Sequence, residues 1–402
     1  MQWFSIALLF LCFSCVFSKT LFLVGGGLSD GNTQLWSRFV SLAGGSSQAR
    51  IGVVTAASSD PADSGDYYKE MFSSYGAAEV YWIPVHEGNT GANSDPTVVA
   101  NVNRMTGFFF GGGDQTRIIN SFYNGNQESP VLSALRGRYE AGSVVGGTSA
   151  GAACVNSAPM ITGGMSWDGL RYGSFPTSTY PDDLTYDPDG GLKFINNMIV
   201  DTHFSERGRE GRLIRLVSDT RGQSNGATLG VGVDEDTAFI VTNVGLSSER
   251  AEVLGEMGVF LADVRQASAD NSGTYWRISN VRTYYLTEGD SISLGGLGVS
   301  WPYWKTDMRG QEQYNSAVTS NKIFDGDRSL NPGSLPEYPY VATSIFDARN
   351  DDSTLGKTLE MNPTFRVDFT ADISSSGFGG RNPRTSRFDI AYSNLRVDIQ
   401  AD

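Results

Sequence analysis

The chain runs to 402 residues, room for two domains or for one large domain with an extension, and its 40% hydrophobic, 11% aromatic and 18% charged residues describe a globular protein. Acidic side chains outnumber basic ones 44 to 30, a formal net charge of -14, which excludes the basic footprint that a nucleic-acid partner requires. The same acidity would favour a cationic substrate, although solubility alone accounts for it.

In chain order, residues 1–18, MQWFSIALLFLCFSCVFS, form an apolar run too short to span a membrane, with Val16 and Ser18 ahead of a cut near Lys19. They read as a secretory signal peptide. No later stretch reaches transmembrane length, so the mature protein is expected outside the cell with no membrane partner. Cys12 and Cys15 leave with the leader. Cys154 is then the one cysteine of the mature chain, and no intramolecular disulfide can form.

Strands are expected at 20–27, 50–58, 79–85, 107–114 and 143–147, with helical segments at 31–45, at 66–77 and from Thr116 onward. This βαβα rhythm predicts an α/β fold, a mostly parallel sheet covered by helices on both faces. Ligands of such sheets bind beyond the carboxyl ends of the strands. The glycines at 25–27, 111–113 and 146–147 all fall on that edge. After Gly151 the rhythm breaks. Residues 163–192 read as a long loop rich in Gly, Pro, Asp and aromatics, a length that points to function in a compact domain. A strand near 194–204, a helix carrying Arg207, Arg209, Arg212 and Arg215, and β-rich stretches follow. From about 295 to the end, scattered strands among turns are expected.

Gly147-Thr148-Ser149-Ala150-Gly151 matches G-x-S-x-G between an expected strand and an expected helix, the setting that a nucleophile elbow needs. Small flanking residues let the turn form, and the backbone N–H of Ala150 at the helix start can face an oxyanion. A serine at such a corner can also be a plain turn residue. As a nucleophile it needs a base, and the chain has two histidines, His86 and His203. His203, downstream of the serine, fits the Ser-acid-His order of α/β hydrolytic sheets, whereas His86 in PVHEGN reads as a solvated loop residue. No cofactor or metal is expected. Cys/His spacings for a metal are lacking, and Asp187-Pro188-Asp189-Gly190 lacks the remaining ligands of a calcium loop. The glycine run after the first strand fails the dinucleotide fingerprint at Asp30. Cys154 reads as a buried small hydrophobe.

Taken together, GFFFGGGDQ (107–115), GGTSAGAA (146–153), PMITGG (159–164), DTHFSERGREGRL (201–213), GVGVDEDTA (230–238) and TYYLTEGDSISL (283–294) resemble, in kind and order, the cyanophycinases, serine hydrolases of the peptidase S51 group. The resemblance covers about residues 20–294. It implies a class I glutamine-amidotransferase-like (flavodoxin-like) sandwich over 19–294, with 295–402 as a β-rich C-terminal extension. It implies Ser149 as nucleophile, His203 as general base, and Gln115 with Arg207, Arg209 and Arg212 as substrate-binding residues. Guanidinium forks suit a substrate carboxylate. Spacings of two and three cannot put all three arginines on one narrow face, which favours Arg207 and Arg212. The family's acid would fall soon after Met160-Ile161, where Asp168 is the only carboxylate of the segment; Asp201 and Glu235 are the alternatives. Backbone N–H groups of Ala150 and of the Gly113–Asp114 corner complete the expected oxyanion hole. The substrate implied is a peptide containing Asp, or a chain of aspartates carrying arginine on each β-carboxyl. A homodimer stays open. The rival readings are a non-catalytic binding protein on the same scaffold, an esterase, and an amidase of the glutaminase type.

Overall fold

The computed structural model describes residues 18–329, 331 and 335–402. The expected leader, apart from Ser18, lies outside the described residues.

Strands Thr20–Val24, Arg50–Val54, Glu79–Ile83, Gly107–Phe110 and Val144–Thr148 form the parallel half of a nine-stranded sheet. Parallel neighbours cannot be joined by a tight turn, so the chain returns through helices. The helices start where the sequence supplies a cap. Asp60, Asp95 and Ser129 each precede a proline, and each side chain accepts a hydrogen bond from a backbone N–H of the first turn. Proline suits that position because its missing N–H would have no partner there. Along a strand, successive residues go to opposite faces. Phe108 and Phe110 join one core and Phe109 the other, all three fully buried. Helices Thr33–Leu42 and Pro61–Ser74 cover the Phe109 face, while Pro96–Val102, Gln115–Phe122 and Pro130–Glu140 cover the other.

The rest of this sheet is antiparallel. Thr237–Thr242 pairs with Thr20–Val24, and Arg250–Gly255, Ser291–Ser293 and Val299–Ser300 follow outward. The α/β fold thus has a mixed sheet, where a mostly parallel one was expected, because no crossover helix joins the strands between Thr237 and Ser300. Residues 163–192, expected as one loop, contain helix Ser166–Tyr172 and strands Ser174–Phe175 and Leu184–Asp187, the latter paired with Met160–Gly163. Elements this short carry too few periods for a pattern to register.

A second sheet begins with Met198–Thr202 parallel to Leu229–Val233. It continues antiparallel through Gly258–Asp263, Arg277–Thr287, Phe388–Ala401, Phe365–Thr370 and Ser353–Lys357. The β-rich C-terminal region therefore extends a sheet begun by earlier strands. Lys305 helps to seal the join: wholly buried, its Nζ donates to Asp290 Oδ2 and Thr287 Oγ1, each at 2.6 Å. Arg384 adds ion pairs to Glu256 at 2.5 Å and Glu288 at 2.7 Å.

Candidate active site

Strand Val144–Thr148 runs directly into helix Ala150–Ala153, and Ser149 makes the corner with φ 54° and ψ -121°. Such a backbone is strained for any residue with a Cβ, so the surroundings must impose it. They do. The Ser149 N–H donates to the Val24 carbonyl at 3.0 Å, and the Ser149 carbonyl accepts from Ala152 and Ala153 at 2.9 Å each. The glycine after the turn is a steric necessity, since a Cβ on Gly151 would stand 2.2 Å from the Phe110 carbonyl oxygen.

The other partners come from the second sheet. Met198–Thr202 and Leu229–Val233 are parallel and in register, Thr202 opposite Val233, so their carboxyl ends deliver His203 and Glu235 side by side. The His203 N–H donates to the Gly25 carbonyl at 2.6 Å, which ties this edge to the end of strand Thr20–Val24. Ser149 Oγ lies 2.8 Å from His203 Nε2, and Glu235 Oε1 lies 2.6 Å from His203 Nδ1. Gly26 leaves room for the ring: a Cβ there would be 2.2 Å from Cε1. Burial lowers the His203 pKa below its ordinary value, and the charge of Arg207 lowers it too, against the upward pull of the Glu235 hydrogen bond. The imidazole is therefore neutral near pH 7 and able to take a proton at Nε2.

Several expected residues stand elsewhere. The carboxylate on His203 is Glu235 and not Asp168. Asp168 sits in the first turn of Ser166–Tyr172 with no hydrogen bond to His203, its carboxyl pushed up by burial and by Asp182. Asp201 faces Arg212, whose Nε and Nη2 meet its two oxygens at 2.8 and 2.7 Å. Burial alone would raise the Asp201 pKa, but Arg212 and Arg209 outweigh it and hold the carboxyl below its usual range. Arg212 also donates to the Gly164 carbonyl at 2.6 Å and is only 4% exposed, so its fork is engaged inside the protein and is not open to a substrate. Arg209 donates to the Thr202 carbonyl at 2.5 Å, and burial lowers its pKa to about 10. Arg207 differs from both. It is exposed and makes no ion pair among the described residues.

The amide of Gln115 donates to the Ile161 carbonyl at 2.6 Å. At the expected oxyanion corner, the Asp114 N–H is already given to the Ala57 carbonyl at 3.0 Å, and the Asp114 carboxylate caps Thr116 at 2.8 Å. Gly113 is exposed. The residue that backs the serine is Gly112, whose Cβ position lies 3.3 Å from Ser149 Cβ and 3.8 Å from Oγ. Ala150 stands at the first helical position after Ser149, as expected. His86 stacks on Trp82 with ring centroids 6.4 Å apart, and Cys154 is buried with a free thiol that burial pushes up in pKa. A cavity of about 290 Å³ opens beside Ser149 and His203, walled by Gly27, Leu28, Tyr67, Tyr68 and Gly112. Sequence reasoning missed Tyr67 and Tyr68, which lie within an amphipathic helix and carry no motif. The glycine run at 111–113 was a signal for Gly112.

The model of peptidase family S51 matches residues 21–248. The chain belongs to this family. The cyanophycinase of Synechococcus elongatus is 32% identical over 284 residues, 69% of this chain and 80% of that protein. The cyanophycinase of Geminocystis herdmanii is 32% identical over 276 residues, 67% of this chain and 91% of that protein. Among solved structures, a peptidase from an acI-B1 Actinobacterium is 19% identical with a TM-score of 0.48, covering 69% of this chain and 98% of that one. As an S51 peptidase the protein is a hydrolytic enzyme that acts on peptide substrates. The family match takes in Ser149, His203 and Glu235 and ends before the C-terminal strands.

Proposed function

We propose that this S51 peptidase is a secreted serine hydrolase that cuts Asp-containing peptides, including aspartate chains with arginine on the β-carboxyl. The observation that carries the reading is the continuous chain of hydrogen bonds from Ser149 through His203 to Glu235, at 2.8 and 2.6 Å. A scaffold that only bound peptides would have no use for a serine held at φ 54° beside an imidazole.

In this reading, His203 Nε2 takes the Ser149 hydroxyl proton as Oγ attacks the scissile carbonyl carbon. Glu235 fixes the Nδ1–H tautomer and stabilises the imidazolium that forms. The backbone N–H of Ala150, at the helix start, faces the oxyanion, and one such donor contributes about 3 kcal/mol to the transition state. The tetrahedral adduct collapses, and His203 returns its proton to the departing amine nitrogen. Water, deprotonated by the same histidine, then attacks the acyl-serine, releasing a carboxylic acid and restoring the hydroxyl. Arg207, exposed and without an ion pair, takes a substrate carboxylate. The scaffold is read as the class I glutamine-amidotransferase-like sandwich, which agrees with helices on both faces of the nine-stranded sheet. Export rests on the leader sequence; among the described residues no helix is long and apolar enough to cross a membrane.

The test is to label the mature protein with a fluorophosphonate and to incubate it with an arginyl-polyaspartate chain. An adduct on Ser149 and release of aspartyl-arginine dipeptide are expected. Absence of both overturns the reading.

A further inference from the structure

One wall residue of the Ser149 cavity, Tyr67, is hydrogen-bonded to a charge that the hydrolytic steps do not use. Tyr67 lines the cavity, is 37% exposed, and donates its hydroxyl to Asp30 Oδ1 at 2.6 Å. The Tyr75 hydroxyl donates to the Asp30 carbonyl at 2.7 Å. Asp30 is thus held at both main chain and side chain while its carboxylate stays exposed. Among the described residues it has no cationic partner. The lysine of the Tyr67 helix, Lys69, pairs with Asp66 instead. The neighbouring Asp236 is occupied differently, accepting from Ser29 N–H at 3.0 Å and Asn32 Nδ2 at 2.9 Å.

A fixed carboxylate next to an exposed aromatic ring suits one kind of ligand group. A planar cation can lay its face on the ring and direct its N–H groups at the carboxylate. A simple ammonium would gain the charge but less of the stacking. Neutral side chains would leave the carboxylate as it is, solvated and unpaired.

We propose that Asp30 and Tyr67 form the subsite for a guanidinium-bearing side chain of the substrate, beside the carbonyl that Ser149 attacks. The proposal rests on the peptidase reading above and adds the residues that would set its preference for a cationic side chain. The site is then bipolar, with Arg207 serving a carboxylate and Asp30 a cation, which fits a substrate that carries both.

The experiment compares kcat/KM for two polyaspartate substrates, one bearing arginine and one bearing citrulline, its neutral isostere. The wild type is expected to prefer arginine by roughly tenfold or more, the loss expected for one charge-assisted hydrogen-bonded pair near the surface. Asp30→Asn should collapse that ratio toward one, and Asp30→Glu should keep most of it. A ratio measured within one protein cancels any loss of folded material. An unchanged ratio in Asp30→Asn, or equal rates on both substrates in the wild type, overturns the subsite while leaving the serine mechanism standing. Failure of the wild type to cut either substrate, with Ser149 still labelled by fluorophosphonate, overturns the substrate class and the subsite together.

Discussion

Replacing Glu235 by Gln separates the proposed triad from its sequence-level alternatives. The carboxylate lies 2.6 Å from His203 Nδ1 and is the one strong upward influence on the imidazole, against burial and Arg207. A glutamine amide at the same place can present its N–H₂ to Nδ1. That would put the ring proton on Nε2, where it faces the serine instead of accepting from it. In the serine-protease template the equivalent loss is about 10⁴ in kcat, or about 5 kcal/mol. Glu235 is 34% exposed, so water can replace part of its effect, and a loss between about 10² and 10⁴ is expected. The assay is dipeptide release from an arginyl-polyaspartate chain, measured at several pH values, with circular dichroism as a folding control. Raising the pH should not restore activity, because the fault is the tautomer and not the charge. Asp168→Asn should stay near wild type. A Glu235→Gln enzyme that keeps a third of its activity, with Asp168→Asn crippled, would refute this account of the site.

Ser149→Ala should lose about 10⁶ in turnover with the fold intact, and His203→Ala should be similarly inactive while His86→Ala keeps near-normal rates. Initial-rate measurements on purified variants decide it, and the reverse histidine pattern would contradict the geometry. Since burial and Arg207 lower the His203 pKa, kcat/KM should rise with pH as the ring loses its proton, with a midpoint below that of an ordinary histidine; a midpoint above 7 would count against a buried neutral base. Arg212→Met should behave as a stability mutant, because it leaves the buried Asp201 carboxylate with only the looser Arg209 contact at 3.5 Å; thermal or urea unfolding should show a loss of about 3 kcal/mol. Arg207→Met should unfold like wild type but lose a preference for Asp over matched Asn substrates of roughly ten- to a hundredfold, read as the ratio of kcat/KM.

The parallel half of the first sheet was legible because Thr20–Val24, Gly107–Phe110 and Val144–Thr148 are buried on both faces and carry glycines at or just past their ends. The elbow was legible for the same reason: a strand, a tight turn and a helix start occur within ten residues. The acid was not. Asp168, Asp201 and Glu235 are all carboxylates near strand or helix ends, and only the parallel pairing of Met198–Thr202 with Leu229–Val233 decides among them. That pairing brings together residues 32 positions apart, which local pattern does not encode. Arg212 was misjudged for a related reason. Spacing along a helix tells which residues share a face, but not that Asp201 waits beneath that face to engage the guanidinium. Oxyanion donors depend on which backbone N–H is already taken, and the Asp114 bond to Ala57 is a tertiary fact.

The C-terminal region bears on the site through a carboxyl behind the triad. The Glu235 N–H donates to Glu206 Oε1 at 3.2 Å, and Arg328 Nη1 lies 3.7 Å from the same oxygen. Burial, and then the charge of Asp234, push the Glu206 pKa up to about 8. Asp234 is itself buried, accepting from Ser205 N–H at 2.9 Å and from the Tyr285 hydroxyl at 2.8 Å. The turn that carries Arg207 is pressed by the same region, since a Cβ on Gly208 would stand 1.8 Å from the Phe324 carbonyl oxygen. Residues 320–329 lie outside the span matched by the family model, yet they touch the turn that runs from His203 to Arg207, the residue proposed above to meet a substrate carboxylate. A segment in that position constrains where Arg207 can point. Differences among S51 peptidases beyond the shared span can therefore reach the substrate without altering the Ser149, His203 and Glu235 geometry.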